Sequence, residues 1–206
     1  MVMFYKITQV LVILFFAFFV SDLRKKNKIK RILNPNLLIV MKLAYMVPLL
    51  IFLSSVICTE QLVYMDFLSL FITLVGLGIV SIAKLSLGRN HSWTGYVTFP
   101  DAFCTGSVFS YVRHPMYSGI FTCIIGMLLH VLFHAPLPLS LINIIFSAFI
   151  VYVLISSANA EADHLLELFG EDYQNYMKQV HPFFPVRKYD SEASSKQQTE
   201  ADTSLY

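Results

Sequence analysis

The apolar residues of this chain are gathered into long runs. Five stretches approach the roughly 20 residues that a helix needs to cross a bilayer: residues 4–20, 37–58, 62–87, 116–134 and 137–158. Of the 206 residues, 56% are hydrophobic and only 14% are charged. Backbone polar groups in lipid must be satisfied within the segment, and runs of this length favour helices. We therefore predict an all-α integral membrane protein with about five transmembrane helices in the lipid bilayer.

The basic residues indicate how these helices are oriented. Thirteen of the 15 Lys and Arg residues lie in residues 21–36, residues 84–115 and the segment after residue 158. With five spans, these three segments share one side of the membrane, and the other side carries only Lys6. Because positively charged loops stay in the cytosol, we expect the N-terminus outside and the long polar segments inside. The membrane is expected to be the endoplasmic reticulum in a eukaryote or the inner membrane in a bacterium.

The same charge bias accounts for the basic run at residues 24–31, so we expect no nucleic-acid partner. The last 18 residues, 189–206, are rich in Ser, Glu, Gln and Thr. A segment with so few large apolar residues cannot bury enough surface to fold, and we expect it to be disordered.

A polar cluster opens the fourth apolar run, where residues 113–119 read RHPMYSG. Pro115 lacks a backbone N–H and suits the first turn of a helix, so the fourth span is predicted to start here. The N–H groups at a helix start favour a nearby anionic group. Arg113 adds a planar cation that binds carboxylates well.

A second polar cluster follows the fifth run and returns to the same side of the membrane. It begins near Glu161, and after it apolar residues recur at spacings of three and four, namely Leu165, Leu168, Phe169, Tyr173, Tyr176 and Val180. This pattern predicts an amphipathic helix on the membrane face, with a bend or cap at Gly170. A carboxylate on its apolar stripe is costly unless it is paired or used, so Glu161 is a candidate site residue.

A cationic sulfonium cofactor fits these two clusters. Glu161 and aromatic faces can stabilise positive charge, while Arg113 and the helix start can hold carboxylates. Methyl transfer depends mainly on positioning two reactants. A carboxylate acceptor needs no general base, whereas an amine needs one, and Glu161 is the candidate for that role.

Two motifs resemble a known family. Residues 111–119, YVRHPMYSG, resemble the core motif of the isoprenylcysteine carboxyl methyltransferase family and of related membrane phospholipid methyltransferases. Residues 161–176, EADHLLELFGEDYQNY, resemble the second motif, and residues 87–89 with Ser92 and Trp93 resemble the segment upstream. The resemblance implies that S-adenosyl-L-methionine binds at the cytosolic face, with the C-terminal helix capping the site. Residues 1–86 would then form a three-span region, and residues 87–188 the methyltransferase core.

The resemblance also implies roles for individual residues. Those expected to bind the cofactor are His114, Tyr117, Gly119, Glu161 and Tyr111. Arg113 and Glu161 are the expected catalytic residues, with Arg113 orienting the substrate. Ala162 stands where many relatives have a second glutamate, and Asp163 is the candidate substitute. The loop before the core motif is one residue longer than in many relatives.

The expected function is methylation of the C-terminal carboxylate of a prenylated protein. A phospholipid amine N-methyltransferase and a non-catalytic membrane relative are the alternatives. A sterol reductase also carries an Arg-His-Pro motif, but those enzymes typically have Asn where this chain has Met116.

His130 and His134 lie four residues apart, a spacing that can hold a metal. They are predicted at the opposite membrane face with no acidic third ligand nearby. We expect them to be interfacial histidines and assign no metal.

Overall fold

Helices make up most of the protein. The structure, a computed structural model, describes residues 1–20, 29–88, 94–100 and 102–185. Its helices are α1 Val2–Val20, α2 Pro35–Cys58, α3 Tyr64–Leu87, α4 Pro115–His134 and α5 Leu137–Gln179. Helices α2 to α5 are long and apolar enough to cross a membrane, and α1 is a shorter apolar helix. The predicted all-α membrane fold is confirmed, and many large apolar side chains on the outer faces are exposed, as contact with lipid requires.

Some predicted features lie outside the described residues. These are the greater part of the basic run, the upstream motif residues Arg89, Ser92 and Trp93, and the tail at residues 189–206. The proposed division of the chain at residue 86 stays a prediction.

Proline and short polar side chains set the helix starts. Asn34 caps α2 by accepting a hydrogen bond of 2.9 Å from the backbone N–H of Asn36, and Pro35 occupies the first turn. At α3, the Asp66 carboxylate accepts from the backbone N–H of Val63 at 2.8 Å. Pro115 opens α4 as its position predicts. Each start therefore lies within two residues of the start of the corresponding apolar run.

Two short strands were not predicted. Ile29–Arg31 (β1) pairs antiparallel with Tyr96–Thr98 (β2). β1 lies between α1 and α2, and β2 lies between α3 and α4, so the pairing ties two connections together at one end of the bundle. We call this the site end, and we call the opposite end, where α4 finishes, the far end.

Helix α5 joins two elements that the sequence predicts separately. It runs for 43 residues with no break at residue 158, and at 1.5 Å per residue it is about twice as long as the bilayer core is thick. Gly170 alone has a non-helical backbone inside it, with φ of 53°, so the predicted bend is confirmed. Tyr173 and Val180 of the predicted stripe are buried, but Leu168 is 42% exposed and does not belong to the buried face.

Helices α3 and α4 approach each other at three glycines. A Cβ on Gly76 would lie 2.7 Å from the backbone nitrogen of Cys123 and from the backbone oxygen of Gly119. A Cβ on Gly119 or Gly126 would likewise meet the backbone of α3. Gly78 has nothing within 4 Å of its would-be Cβ. Close packing through Gly76 is therefore internal to the chain, as small residues allow in membrane helices.

The histidines of α4 differ from the prediction. His130 is fully buried rather than interfacial. An acidic residue does lie nearby, because Asp66 at the start of α3 places its Oδ1 2.8 Å from His130 Nδ1 and 2.8 Å from His134 Nε2. The expectation failed because Asp66 is 64 residues away in sequence from His130, and only the packing of α3 on α4 brings them together.

We expect Gly76→Ala to destabilise the protein by about 1–3 kcal/mol, because the new methyl group would force α3 away from α4. Gly78→Ala is the matched control on the same helix, and it should be neutral or stabilising by up to about 1 kcal/mol. Unfolding in detergent micelles, followed by circular dichroism, measures both. Equal effects of the two substitutions would contradict the close contact.

Candidate active site at the start of helix α4

The segment that enters α4 is held by the chain that leaves α5. The backbone N–H of Arg113 donates to His181 at 2.8 Å, and that of His114 donates to Pro182 at 2.9 Å. Ser118 Oγ donates to the backbone oxygen of Phe183 at 2.8 Å. His114 is the residue before a proline, which disfavours a helical backbone, and it has φ of −121° and ψ of 61°. Its N–H thus points out of the helix and is satisfied by the returning strand-like segment.

The centre of the site is a hydrogen-bonded group on α4 and α5. Tyr117 donates its phenolic proton to Glu161 Oε1 at 2.5 Å. The Tyr117 oxygen also lies 3.1 Å from Ser157 Oγ, and Ser157 accepts from the backbone N–H of Gly95 at 2.8 Å. The Glu161 side chain is 20% exposed. This hydrogen-bonded group links α4, α5 and the loop before β2. The Glu161 carboxyl group stays partly exposed at the site end.

His114 is an uncharged member of this site. Burial and, to a smaller extent, the neighbouring Arg113 cation lower the pKa of His114 from 6.5 to about 3. Its Nδ1 lies 3.7 Å from Glu161 Oε2, and its ring packs beside those of Tyr117 and Phe183, each with centroids 5.9 Å away. Since the imidazole is neutral near pH 7, it contributes no positive charge beside the Glu161 carboxyl group. Among the described residues, no lysine or arginine forms an ion pair with Glu161.

Arg113 carries an unused hydrogen-bond donor. Its Nε is buried and has no hydrogen-bond partner among the described residues. The guanidinium also interacts with the hydroxyl of Tyr173, which is 2% exposed. A buried guanidinium N–H without an acceptor is costly, and a carboxylate is the acceptor that fits it best.

Aromatic rings close one side of the site end. Phe103, in the loop before α4, has its ring centroid 5.1 to 5.5 Å from those of Phe169, Tyr173 and Tyr176. Tyr176 donates to the backbone oxygen of Phe109 at 2.6 Å. The loop therefore packs against the last part of α5. Ser107, in the same loop, takes a left-handed backbone with φ of 56°.

The structure brings together four of the predicted site residues and leaves two outside. Arg113, His114, Tyr117 and Glu161 converge at the site end. Gly119 instead faces α3, where its lack of a side chain permits helix contact, and Tyr111 is 69% exposed. Ala162 is buried, whereas Asp163 is exposed and close enough to Tyr173 to interact with it electrostatically, so the role of Asp163 as a substitute for the second glutamate stays a prediction.

Sequence reasoning missed two parts of the site. Ser157 lies four residues before Glu161, so both are on one face of α5, and this spacing in an apolar run was a usable signal. The returning segment His181 to Phe183 acts through its backbone oxygens. Backbone acceptors leave no trace in side-chain patterns, so nothing in the sequence marked it.

The sequence matches one known protein family. The model of one family, described as phospholipid methyltransferase, matches residues 64–172, more than half of the chain. The chain belongs to the phospholipid methyltransferase family. Among curated proteins, none matches it. Membership confirms the family to which the two motifs pointed and indicates a membrane methyltransferase. The match begins at the start of α3 and includes every residue of the Tyr117, Ser157 and Glu161 group.

The residues present fit a methyl-donating sulfonium cofactor. The Glu161 carboxylate has no cationic partner among the described side chains, and it can balance a positive charge. The buried Arg113 Nε lacks an acceptor, which a carboxylate can supply. The Glu161 carboxylate and the Arg113 Nε both lie at the site end.

His114 should make stability depend on acidity. Between pH 6.5 and about 3 the unfolded chain binds a proton at this residue that the folded chain does not, so the free energy of unfolding falls as the pH falls. One such group contributes a slope of about 1.4 kcal/mol per pH unit. We expect His114→Asn to reduce the slope of stability against pH by about that amount. Unfolding in detergent at a series of pH values measures this, and an unchanged slope would show that His114 is not held neutral.

Proposed function

We propose that the protein transfers a methyl group from S-adenosyl-L-methionine to the C-terminal carboxylate of a prenylated cysteine. The observation that carries the proposal is that the Tyr117–Glu161 hydrogen bond and the Arg113 Nε, which has no partner among the described residues, lie at the same end of the bundle. When bound, the cofactor supplies an electrophilic methyl group. The protein's own residues then have to hold the donor and the acceptor in line.

Glu161 is proposed to hold the positively charged part of the cofactor. Its carboxylate is kept in place by the hydroxyl of Tyr117, which in turn contacts Ser157. The rings of Tyr117 and Phe183 offer aromatic faces on either side of His114, and such faces also stabilise cations. Because these groups are fixed before binding, little reorganisation is needed.

Arg113 is proposed to orient the acceptor. Its guanidinium lies at the start of α4, where the backbone also favours anions. A prenylated cysteine presents a carboxylate at the membrane surface while its prenyl chain lies in lipid. A carboxylate is already nucleophilic when ionised, so this reaction requires no general base.

A phospholipid amine is the second candidate acceptor. The description of the family supports it. An amine has to lose a proton, and Glu161 is the carboxylate that could accept it, with neutral His114 3.7 Å away.

The proposal also places the site end in the cytosol. In the five-span arrangement, 13 of the 15 basic residues belong to segments on that side of the membrane.

Transfer of radiolabelled methyl groups by the purified protein distinguishes the acceptors. We expect label to pass from S-adenosyl-L-methionine to a farnesylcysteine analogue as a methyl ester, which alkali releases as methanol. Label on phosphatidylethanolamine would be stable to alkali and would support the second candidate. Cofactor binding without transfer to either acceptor would contradict the proposed reaction and would fit a non-catalytic relative with Ala162 in its second motif.

Glu161→Gln should weaken both transfer and binding of S-adenosylhomocysteine by about tenfold to a hundredfold, because a charge-assisted contact is lost. Glu171→Gln, an exposed position on the same helix, is the matched control and should retain wild-type values. Isothermal titration in detergent measures binding, and the label assay measures transfer. Equal affinity in the two variants would show that the cofactor does not use Glu161.

Tyr117→Phe removes the hydroxyl but keeps the ring. Glu161 then loses its 2.5 Å hydrogen bond, and we expect affinity for S-adenosylhomocysteine to fall by about tenfold. The same titration measures this change. Unchanged affinity together with a native circular dichroism spectrum would show that the Tyr117 hydroxyl does not position Glu161 for binding.

A further inference from the structure

Another group of polar side chains, which we call the far-end cluster, is buried at the far end, away from the proposed methyl-transfer site. It consists of Asp66 at the start of α3 and of His130 and His134 in the last turns of α4. Asp66 and His130 are fully buried, and the His134 side chain is 14% exposed. One nitrogen of each histidine lies 2.8 Å from the same carboxylate oxygen, Asp66 Oδ1. Three potential ligand atoms therefore lie close together.

The charge of Asp66 needs compensation. A buried carboxylate inside a membrane protein is expensive unless a cation pairs with it. Its ion-pair partners among the described residues are His130 and His134. The other carboxylate oxygen, Oδ2, accepts from the backbone N–H of Val63 at 2.8 Å, and no lysine or arginine among the described residues forms an ion pair with Asp66. A bound dication would balance the carboxylate and would accept all three lone pairs.

Hydrogen bonding around His130 points the same way. Its Nδ1 has one proton or one lone pair, yet two oxygens contact it, Asp66 Oδ1 at 2.8 Å and Tyr5 Oη at 3.0 Å. Gln9 donates to the Tyr5 hydroxyl at 2.8 Å. The other polar atom of Gln9, Oε1, is buried with no hydrogen-bond partner among the described residues. His130 Nε2 is likewise buried with no hydrogen-bond partner among the described residues.

The donor set specifies the chemical class of the ion. Two imidazole nitrogens and one carboxylate oxygen are ligands for Zn²⁺ and related transition metals, whereas Ca²⁺ and Mg²⁺ prefer oxygen ligands throughout. The ligand atoms lie within 4.8 Å of one another. Two histidines four apart on one helix present their rings on one face. His134, at the end of α4 and partly exposed, offers a route for an ion from the aqueous side.

We infer that Asp66, His130 and His134 form a binding site for a divalent transition metal, with Zn²⁺ as the first candidate. The site lies between the start of α3 and the end of α4, so a bound ion would join these two helices at the far end. This inference does not depend on the proposed methyl transfer, which uses residues at the opposite end of α4 and on α5.

Metal content of the full-length protein tests the inference. The protein is purified in detergent without a polyhistidine tag, incubated with Zn²⁺, dialysed, and analysed by mass spectrometry of the metals. We expect roughly one ion per chain in the wild type and almost none in His134→Ala. His134 is the best first variant because it is the least buried of the three ligands. His181→Ala, outside the cluster, is the matched control and should retain the ion.

A second readout separates a metal ligand from a merely structural histidine. Zn²⁺ should raise the unfolding temperature of the wild type, since a ligand that binds only the folded state stabilises it, and His134→Ala should not respond. Co²⁺ substitution should give visible absorption that the same variant lacks. If wild type and His134→Ala hold equally little zinc after dialysis, and Zn²⁺ moves neither unfolding temperature, the three residues form a hydrogen-bonded triad and the inference is wrong.

Discussion

The close contact between α3 and α4 positions both polar ends of the protein. In lipid there is no hydrophobic gain from pressing two helices together, so close approach depends on small residues. Gly76, Gly119 and Gly126 let the two backbones meet with no side chain between them. Helix α4 carries Tyr117 at one end and His130 near the other. A shift of this contact would therefore displace the candidate active site and the far-end cluster together.

Each end solves the problem of buried polar groups differently. At the site end, Tyr117 and Ser157 serve one side of Glu161, while the Arg113 Nε lacks a partner among the described residues. At the far end, His130 and His134 both contact Asp66 Oδ1, and the Tyr5 hydroxyl contacts the same nitrogen of His130. Unmet polar groups inside a membrane protein are costly and mark functional positions. We therefore propose an organic cofactor at the site end and a metal ion at the far end.

The sequence predicts the helices well because the apolar runs and the prolines act locally. The runs at residues 37–58 and 116–134 match α2 and α4 to within two residues at each end. Convergence of Tyr117 and Glu161 was also predictable, because a fifth span has to return the chain to the same side. The Asp66 contact was not predictable, since it depends on the rotation of α3 against α4. The β1–β2 pairing and the backbone contacts of His181 depend likewise on tertiary packing, and side-chain patterns carry no record of either.

The alanine that follows Glu161 in the second motif bears on the choice of acceptor. Ala162 is buried and Asp163 is exposed, and of the acidic side chains here Glu161 is the one that the Tyr117 hydroxyl holds in place. If Glu161 balances the positive charge of the cofactor, it is not available as a base for an amine. Arg113, with its unused donor, is suited to an anion rather than to a second cation. This division of charge favours the prenylcysteine carboxylate in the proposed reaction, because that acceptor brings the negative charge that Arg113 requires and needs no proton removed.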